Sequence, residues 1–394
     1  MQSFDKLAAR LQPHYKRFNV ANRCLLSGHS HQAWPDIAFE GQLEAAEAAA
    51  EYVDDKWSVA FQKTEMLRTY LRRFYDDPDG QYSFSTSTHD LLVRWLSALD
   101  LPSKPRLVTT DSEFHSISRQ LTRLEETGIE IVRVPALPLE DFPSRLEKAI
   151  TGDTAAVLVS HVYFSTSLVN QDLKVIGEAA RKHSVPLLID DYHGTNVVPT
   201  SLRKENLEDC YLLIGGYKYL QWGEGNCFLR FPKNCGLRPV ITGWFSVFDK
   251  LTANQESEKV PYSNNDNRFL GATFEPTSHF SAAKVVNFFE QQKLTPELLH
   301  QNYREQVAYL RKHFLDLDLD PKIIRLKHDY PIDHNGGFIA LMSSFAGELN
   351  KRLKERDIYT DFRDTTLRLG PAPYVTSSQI DYALKVLSES VRNL

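Results

Sequence analysis

From about residue 80 the chain repeats one pattern: a short apolar run, a turn, then apolar positions at helical spacing. The runs predict strands at Gln81–Ser85, Arg106–Thr109, Glu130–Val134, Ala155–Ser160, Pro186–Ile189, Tyr211–Ile214 and Cys227–Phe231, with helices such as Leu91–Leu99 and Asp172–His183 between them. Such alternation implies a largely parallel sheet covered on both faces. The last two runs are too close for a helical crossover, so one strand there is expected to be antiparallel. Upstream, the segment after Pro35 reads as an amphipathic helix reaching Tyr52. The polar stretch Leu251–Phe269 reads as an exposed connection. Helical patterns begin again near Ser281 and at Ser378.

With 394 residues, 42% hydrophobic and 25% charged, the chain has the make-up of a globular protein with a large domain and a smaller one. A net charge of −5 offers no basic field for nucleic acid or an anionic membrane. No segment approaches the roughly 18 apolar residues of a membrane span, and the first residues lack a signal-peptide core. A cytoplasmic location is the resulting expectation. Cys24, Cys210, Cys227 and Cys235 form no C-x-x-C pair and read as reduced, buried thiols.

Three segments carry candidate chemistry. Pro186-Leu-Leu-Ile-Asp-Asp-Tyr-His193 ends an apolar strand in two carboxylates. Ligands of open α/β sheets bind at such strand ends, although an Asp there also serves as a plain loop cap. Gly215-Gly-Tyr-Lys218-Tyr-Leu-Gln-Trp-Gly-Glu-Gly225 places a lysine among aromatics and glycines after another strand. Desolvation lowers a lysine's pKa, and a neutral amine is what a Schiff base requires. Most lysines in glycine-rich turns are simply solvated; the upstream strand-end Asp190 favours chemistry. Ser85-Thr-Ser-Thr-His-Asp90 precedes a helix, and hydroxyls at a helix N-terminus make an anion cradle. An ordinary N-cap accounts for one of those hydroxyls. There is no P-loop, H-E-x-x-H or G-x-S-x-G motif.

These pieces, in this order, resemble the fold-type I enzymes that use pyridoxal 5'-phosphate (PLP), and more closely kynureninase within the class V aminotransferase superfamily. The resemblance runs from about Ser83 to Ser377, with a weaker echo at Leu26–Pro35; its most specific part is YKYL around Lys218 with the D-x-x-H of Asp190–His193. It implies an α/β fold with a large PLP-binding domain (34–280) on a mostly parallel seven-stranded sheet. A smaller C-terminal α+β domain (281–394) and an N-terminal arm (1–33) complete it.

By this resemblance Lys218 forms the Schiff base, Asp190 keeps the pyridine nitrogen protonated, and His193 lies beside both. Ser87 and Thr88 fall at the phosphate, Tyr217 and Ser160 at further cofactor contacts, and Phe114 where an aromatic stacks on the ring. Trp244 matches a tryptophan beside the cofactor. Thr273 lies where family members lend a phosphate contact to the neighbouring subunit, which implies a homodimer with shared active sites. Arg368 matches the arginine that grips the substrate α-carboxylate in a two-pronged pair. Arg363, nearby, reads as a surface residue. The family's Gly-Asn-Ser-Leu-Gly turn is here Gly28-His-Ser-His31, so His29, Ser30 and His31 are candidates for a substrate wall, with ordinary loop histidines the plainer reading. Two histidines at i,i+2 without a third ligand do not make a metal site. Kynureninase's upstream Gly-His is replaced by Tyr52-Val-Asp-Asp-Lys-Trp57, and no asparagine adjoins Thr273.

The implied function is a kynureninase-like, hydrolytic Cβ–Cγ cleavage of an amino acid that releases alanine. A class V aminotransferase, or another PLP lyase, uses the same residues. A non-catalytic PLP-fold binding protein is a third reading, against which the presence of both Lys218 and Asp190 counts. Cysteine desulfurase is disfavoured because no cysteine follows Cys235.

Overall fold

A computed structural model describes residues 2–250 and 259–394. Helix α1 (Ser3–Leu11) and the short strand β1 (Cys24–Leu25) lead into α2 (Ile37–Tyr52) and α3 (Lys56–Phe74). Strands and helices then alternate: β2 (Gln81–Ser85), α4 (Thr88–Leu96), β3 (Arg106–Thr110), α5 (His115–Glu125), β4 (Glu130–Val134), α6 (Phe142–Ala149), β5 (Thr154–Ser160), α7 (Leu173–Lys182) and β6 (Leu187–Asp190). β7 (Tyr211–Gly215) and β8 (Cys227–Phe231) complete this series.

These strands form one sheet in the order β2-β8-β7-β6-β5-β3-β4. β7, β6, β5, β3 and β4 pair in parallel, and β8 runs antiparallel to both of its neighbours. Each strand lies within one residue of its expected bounds. β5, Thr-Ala-Ala-Val-Leu-Val-Ser, is buried at every position, as a strand covered on both faces must be. α4 starts three residues earlier than its apolar spacing suggested, because Ser87 caps it by accepting the Asp90 N–H.

The rest of the chain builds α8 (Thr277–Gln291), α9 (Pro296–Leu315), β9 (Arg325–Leu326), β10 (Ile339–Met342), α10 (Ala346–Lys354), β11 (Ile358–Tyr359), β12 (Asp361–Arg363), β13 (Thr366–Leu369) and α11 (Ser377–Arg392). β12-β13-β10-β9 make an antiparallel sheet, and β1 pairs in parallel with β11. Asp5 of α1 accepts hydrogen bonds from Ser377 N and Oγ, which ties the N-terminal arm to α11. No described helix is long and apolar enough to cross a membrane.

The expected exposed connection Leu251–Phe269 needs correction. Residues 251–258 lie outside the described residues, but Ser263, Arg268 and Phe269 are buried. The polar residues dock because they find partners: Asp266 accepts from Arg72 Nη2 and from Tyr82 N.

Behind β8, Arg230 is almost fully buried. It donates to both oxygens of Asp77 at 2.8 Å and to the carbonyls of Glu208 and Cys210, while the Tyr82 hydroxyl donates to Asp77. This pair fastens the antiparallel strand at the end of the sheet remote from the strand carboxyl ends. Removing one partner leaves the other charge buried and alone. Asp77→Ala is therefore expected to lower stability by about 3–5 kcal/mol, measured as a shift in the urea midpoint at unchanged slope.

Candidate active site

The parallel strands end side by side, with Ser160 of β5 in register with Asp190 of β6, and Asp190 with Leu213 of β7. Asp190 is the last residue of its strand. The chain turns at once, and Tyr192 N donates to Asp190 Oδ1 at 3.1 Å. β7 ends at Gly215, where a Cβ would lie 1.7 Å from Tyr192 Cζ; no other residue leaves room for that ring. The following turn buries Lys218 (4% exposed) and returns to β8 through Gly223 and Gly225, both at positive φ.

Lys218, Asp190, His193, Tyr192, Tyr217, Phe114 and Thr88 all line one cavity. Lys218 Nζ is 2.9 Å from His193 Nε2. Burial lowers the Lys218 amine to about 7; Asp190 opposes the shift and Arg368 adds to it. Burial also raises Asp190 to about 6, against its main-chain bond from Tyr192 and its attraction to Lys218. His193 is held well below its usual value, by burial first and then by Lys218 and Arg368. The main chain of His29 bonds His193 in the sense that favours a proton on the ring. A main-chain acceptor fixes the proton on that nitrogen and leaves Nε2 as an acceptor for the lysine N–H. The amine's own lone pair then stays free.

Of the expected phosphate hydroxyls, only Thr88 faces the cavity; Ser87 caps α4, and Ser85 and Thr86 donate to Asp90 Oδ2. The Ser160 hydroxyl turns to Glu113 instead, donating to Oε2 at 2.6 Å, while Ser160 N and Thr110 Oγ1 donate to Oε1. Glu113 is buried, which raises it to about 7 despite these bonds. It escaped the sequence reading although it, too, is a carboxylate just past a strand end.

Arg368, on β13, reaches the same region from the other sheet. It donates to Asp361 Oδ2 at 2.6 Å and to the Phe164 carbonyl at 2.7 Å, and its buried Nε has no partner among the described residues. Asp361 was also missed; only its pairing across the strands with Arg368 reveals it. Arg363 is half exposed and bonds Asp361 Oδ1. His29 is fully buried against Phe338, 4.0 Å from Asp361 Oδ2, with neither ring nitrogen hydrogen-bonded; it interacts electrostatically with Arg368, His193 and Lys218. Ser30 and His31 do not line the Lys218 cavity. His31 pairs with Glu224 at 3.0 Å near the surface.

Trp244 and Thr273 are not brought to the cavity within this chain. Trp244 is 45% exposed and packs on Phe245 and Phe248, and Thr273 is exposed. No metal-binding cluster occurs among the described residues. A larger cleft around Asp79, Arg203 and Lys233 lies past the C-terminal end of β8, at the opposite edge of the sheet, where Arg230 and Lys233 are already paired with aspartates.

No family model matches the chain. It is 25% identical over 391 residues to kynureninase of Pseudomonas fluorescens, covering 92% of this chain and 88% of that one. It is 23% identical over 345 residues to the uncharacterized aminotransferase YcbU of Bacillus subtilis, covering 84% and 85%. The solved structure of the cystine C–S lyase C-DES, bound to cysteine persulfide, superposes with a TM-score of 0.80 at 19% identity, over 94% of this chain and 98% of that one. Strand order, lysine turn and sequence relatives agree with one another: the chain has the α/β fold of these PLP-dependent enzymes and is similar in sequence to class V members, kynureninase among them.

Proposed function

We propose that this chain is a PLP-dependent enzyme acting on an amino acid, kynureninase-like in cleaving a Cβ–Cγ bond by hydrolysis and releasing alanine. One observation carries the reading: Lys218 and Asp190 face a single cavity, each shifted toward its neutral form by burial. When bound, PLP supplies an aldehyde for attachment and a protonated ring that draws electrons from the substrate α-carbon.

The residues present fit that group. Lys218 offers a nucleophilic amine at neutral pH, oriented by His193 Nε2. Asp190 spends one oxygen on Tyr192 N, and its other has no hydrogen-bond partner among the described residues, leaving an acceptor for a ring N–H. Phe114 offers an aromatic wall, and Thr88 stands at the N-terminus of α4, where main-chain N–H groups favour an anion. Arg368 is held from two sides, and its free Nε–H suits a substrate carboxylate. The uncharged Lys218 amine would also serve as a base toward a substrate held in this cavity. The exposed Trp244 and Thr273 fit a homodimer in which each chain completes its partner's site.

A route through a cysteine nucleophile finds less support. All four cysteines are buried, and burial pushes Cys24 up to about 12 and Cys227 to about 11, far from the thiolate such chemistry needs. The match to kynureninase along nearly the whole chain supports the cleavage reading. Incubation with L-kynurenine should release anthranilate and alanine. Amino transfer to 2-oxoglutarate without cleavage would instead make the chain an aminotransferase.

Lys218→Ala should abolish the borohydride-reducible attachment of PLP; a reduced adduct mapped to another lysine sinks the assignment. Arg368→Ala should raise KM for the amino acid roughly 10–100-fold, the worth of one or two hydrogen bonds to a charged group, with PLP retention unchanged. Since only the neutral amine attacks, PLP capture by the apo-protein should climb with pH and level off just above about 7, well below the 10.5 of an ordinary lysine. Stopped-flow absorbance across that range measures it.

A further inference from the structure

The Tyr192 ring is the nearest of the Phe and Tyr rings around the reactive amine. Lys218 Nζ lies 4.5 Å from the centre of its ring, closer than to Phe114 (5.4 Å) or Tyr217 (5.9 Å). The other end of the ring rests over Gly215, whose missing side chain makes the space. There the Tyr192 hydroxyl meets the Tyr217 hydroxyl and lies 4.0 Å from Cys227 Sγ. Cys227 Sγ in turn is bonded by the main chain of Gly216 and of Thr88, the first residue of α4. The ring therefore reaches from the Lys218 amine toward the N-terminus of α4.

We propose that Tyr192 is a cofactor-holding residue: its ring walls the cofactor's ring pocket together with Phe114, and its hydroxyl, with that of Tyr217, donates to the cofactor phosphate at the start of α4. This rests on the PLP reading above. The chemistry asks for such a donor. Ser85 and Thr86 are committed to Asp90, Ser160 is committed to Glu113, and Ser87 does not line the cavity, so of the hydroxyls expected near the cofactor Thr88 and Tyr217 face it. The Tyr192 phenol, which meets that of Tyr217, supplies one more at the same place. Gly215 is the complementary choice, because any side chain at the end of β7 collides with the ring.

The test titrates full-length apo-protein with PLP and follows bound cofactor by absorbance, with circular dichroism and thermal midpoints confirming that each variant is folded. Tyr192→Phe should weaken PLP binding roughly tenfold, the loss of one hydrogen bond to an anion, and should reduce competition by inorganic phosphate. Tyr192→Ala should weaken it further. Gly215→Ala should weaken binding in the native background and have no effect in Tyr192→Ala, since it acts by displacing the ring. Equal or tighter PLP binding by Tyr192→Ala overturns the proposal, for it makes the ring an obstruction. Failure of the unaltered protein to capture PLP at all overturns the cofactor reading itself, and this proposal with it.

Discussion

The withdrawal of one amine from water governs the arrangement of this protein. A lysine in solvent is protonated and inert as a nucleophile; Lys218 is lowered to about 7 because it is 4% exposed, so a large share of it is the free amine at neutral pH. Burial alone would be a pure cost. Asp190 gives the amine a partner, and the two together set a balance in which neither charge is firmly held. PLP, if bound there, would be held by both: its aldehyde at the Lys218 amine and its protonated ring nitrogen at the Asp190 carboxylate.

The scaffold follows from that need. Only the carboxyl ends of adjacent parallel strands put the two side chains on a common rim, and the pairing of Asp190 with Ser160 on one side and Leu213 on the other fixes that rim in register. Beneath it, Asp191 accepts from the Tyr75 hydroxyl and bonds His161 at 2.6 Å, so the turn after Asp190 is anchored from below. The single antiparallel strand, β8, is what lets the lysine turn be short: a hairpin return needs no helix, and the Lys218 segment stays pressed against the sheet. Arg230 and Asp77 stabilise that strand at its far end, away from the chemistry.

Much of this was legible in the sequence. Apolar runs of strand length located every strand of the large sheet to within a residue, because the buried positions of a sheet covered on both faces are apolar. Asp190 and Lys218 were legible as charged groups placed just after such runs, and His193 through the resemblance of the D-x-x-H and YKYL motifs. What escaped was set by tertiary contact. Ser160 looked like a cofactor contact, but Glu113 takes its hydroxyl, and no local pattern announces that bond. Asp361 matters only because β12 folds beside β13 and sets it opposite Arg368. The stretch 263–269 reads as polar loop, yet Arg72 and the main chain of Tyr82 draw Asp266 inward. Trp244 and Thr273 stay on this chain's surface, where a single chain gives them nothing to do.

The cluster around Arg368 shows why substrate binding and cofactor chemistry cannot be separate designs here. Arg368 is a buried cation whose field lowers both Lys218 and His193. Unopposed, it would drive the amine neutral but leave an uncompensated charge in the protein. Asp361 pairs with it, and the same carboxylate acts on Lys218 in the opposite direction. On the proposed function, a substrate carboxylate at Arg368 Nε would add a second negative charge near the amine, and that charge would favour the protonated lysine. His29, whose ring nitrogens have no hydrogen-bond partner among the described residues, is held toward its neutral form by burial first and then by Arg368, His193 and Lys218, so it adds no charge to this cluster.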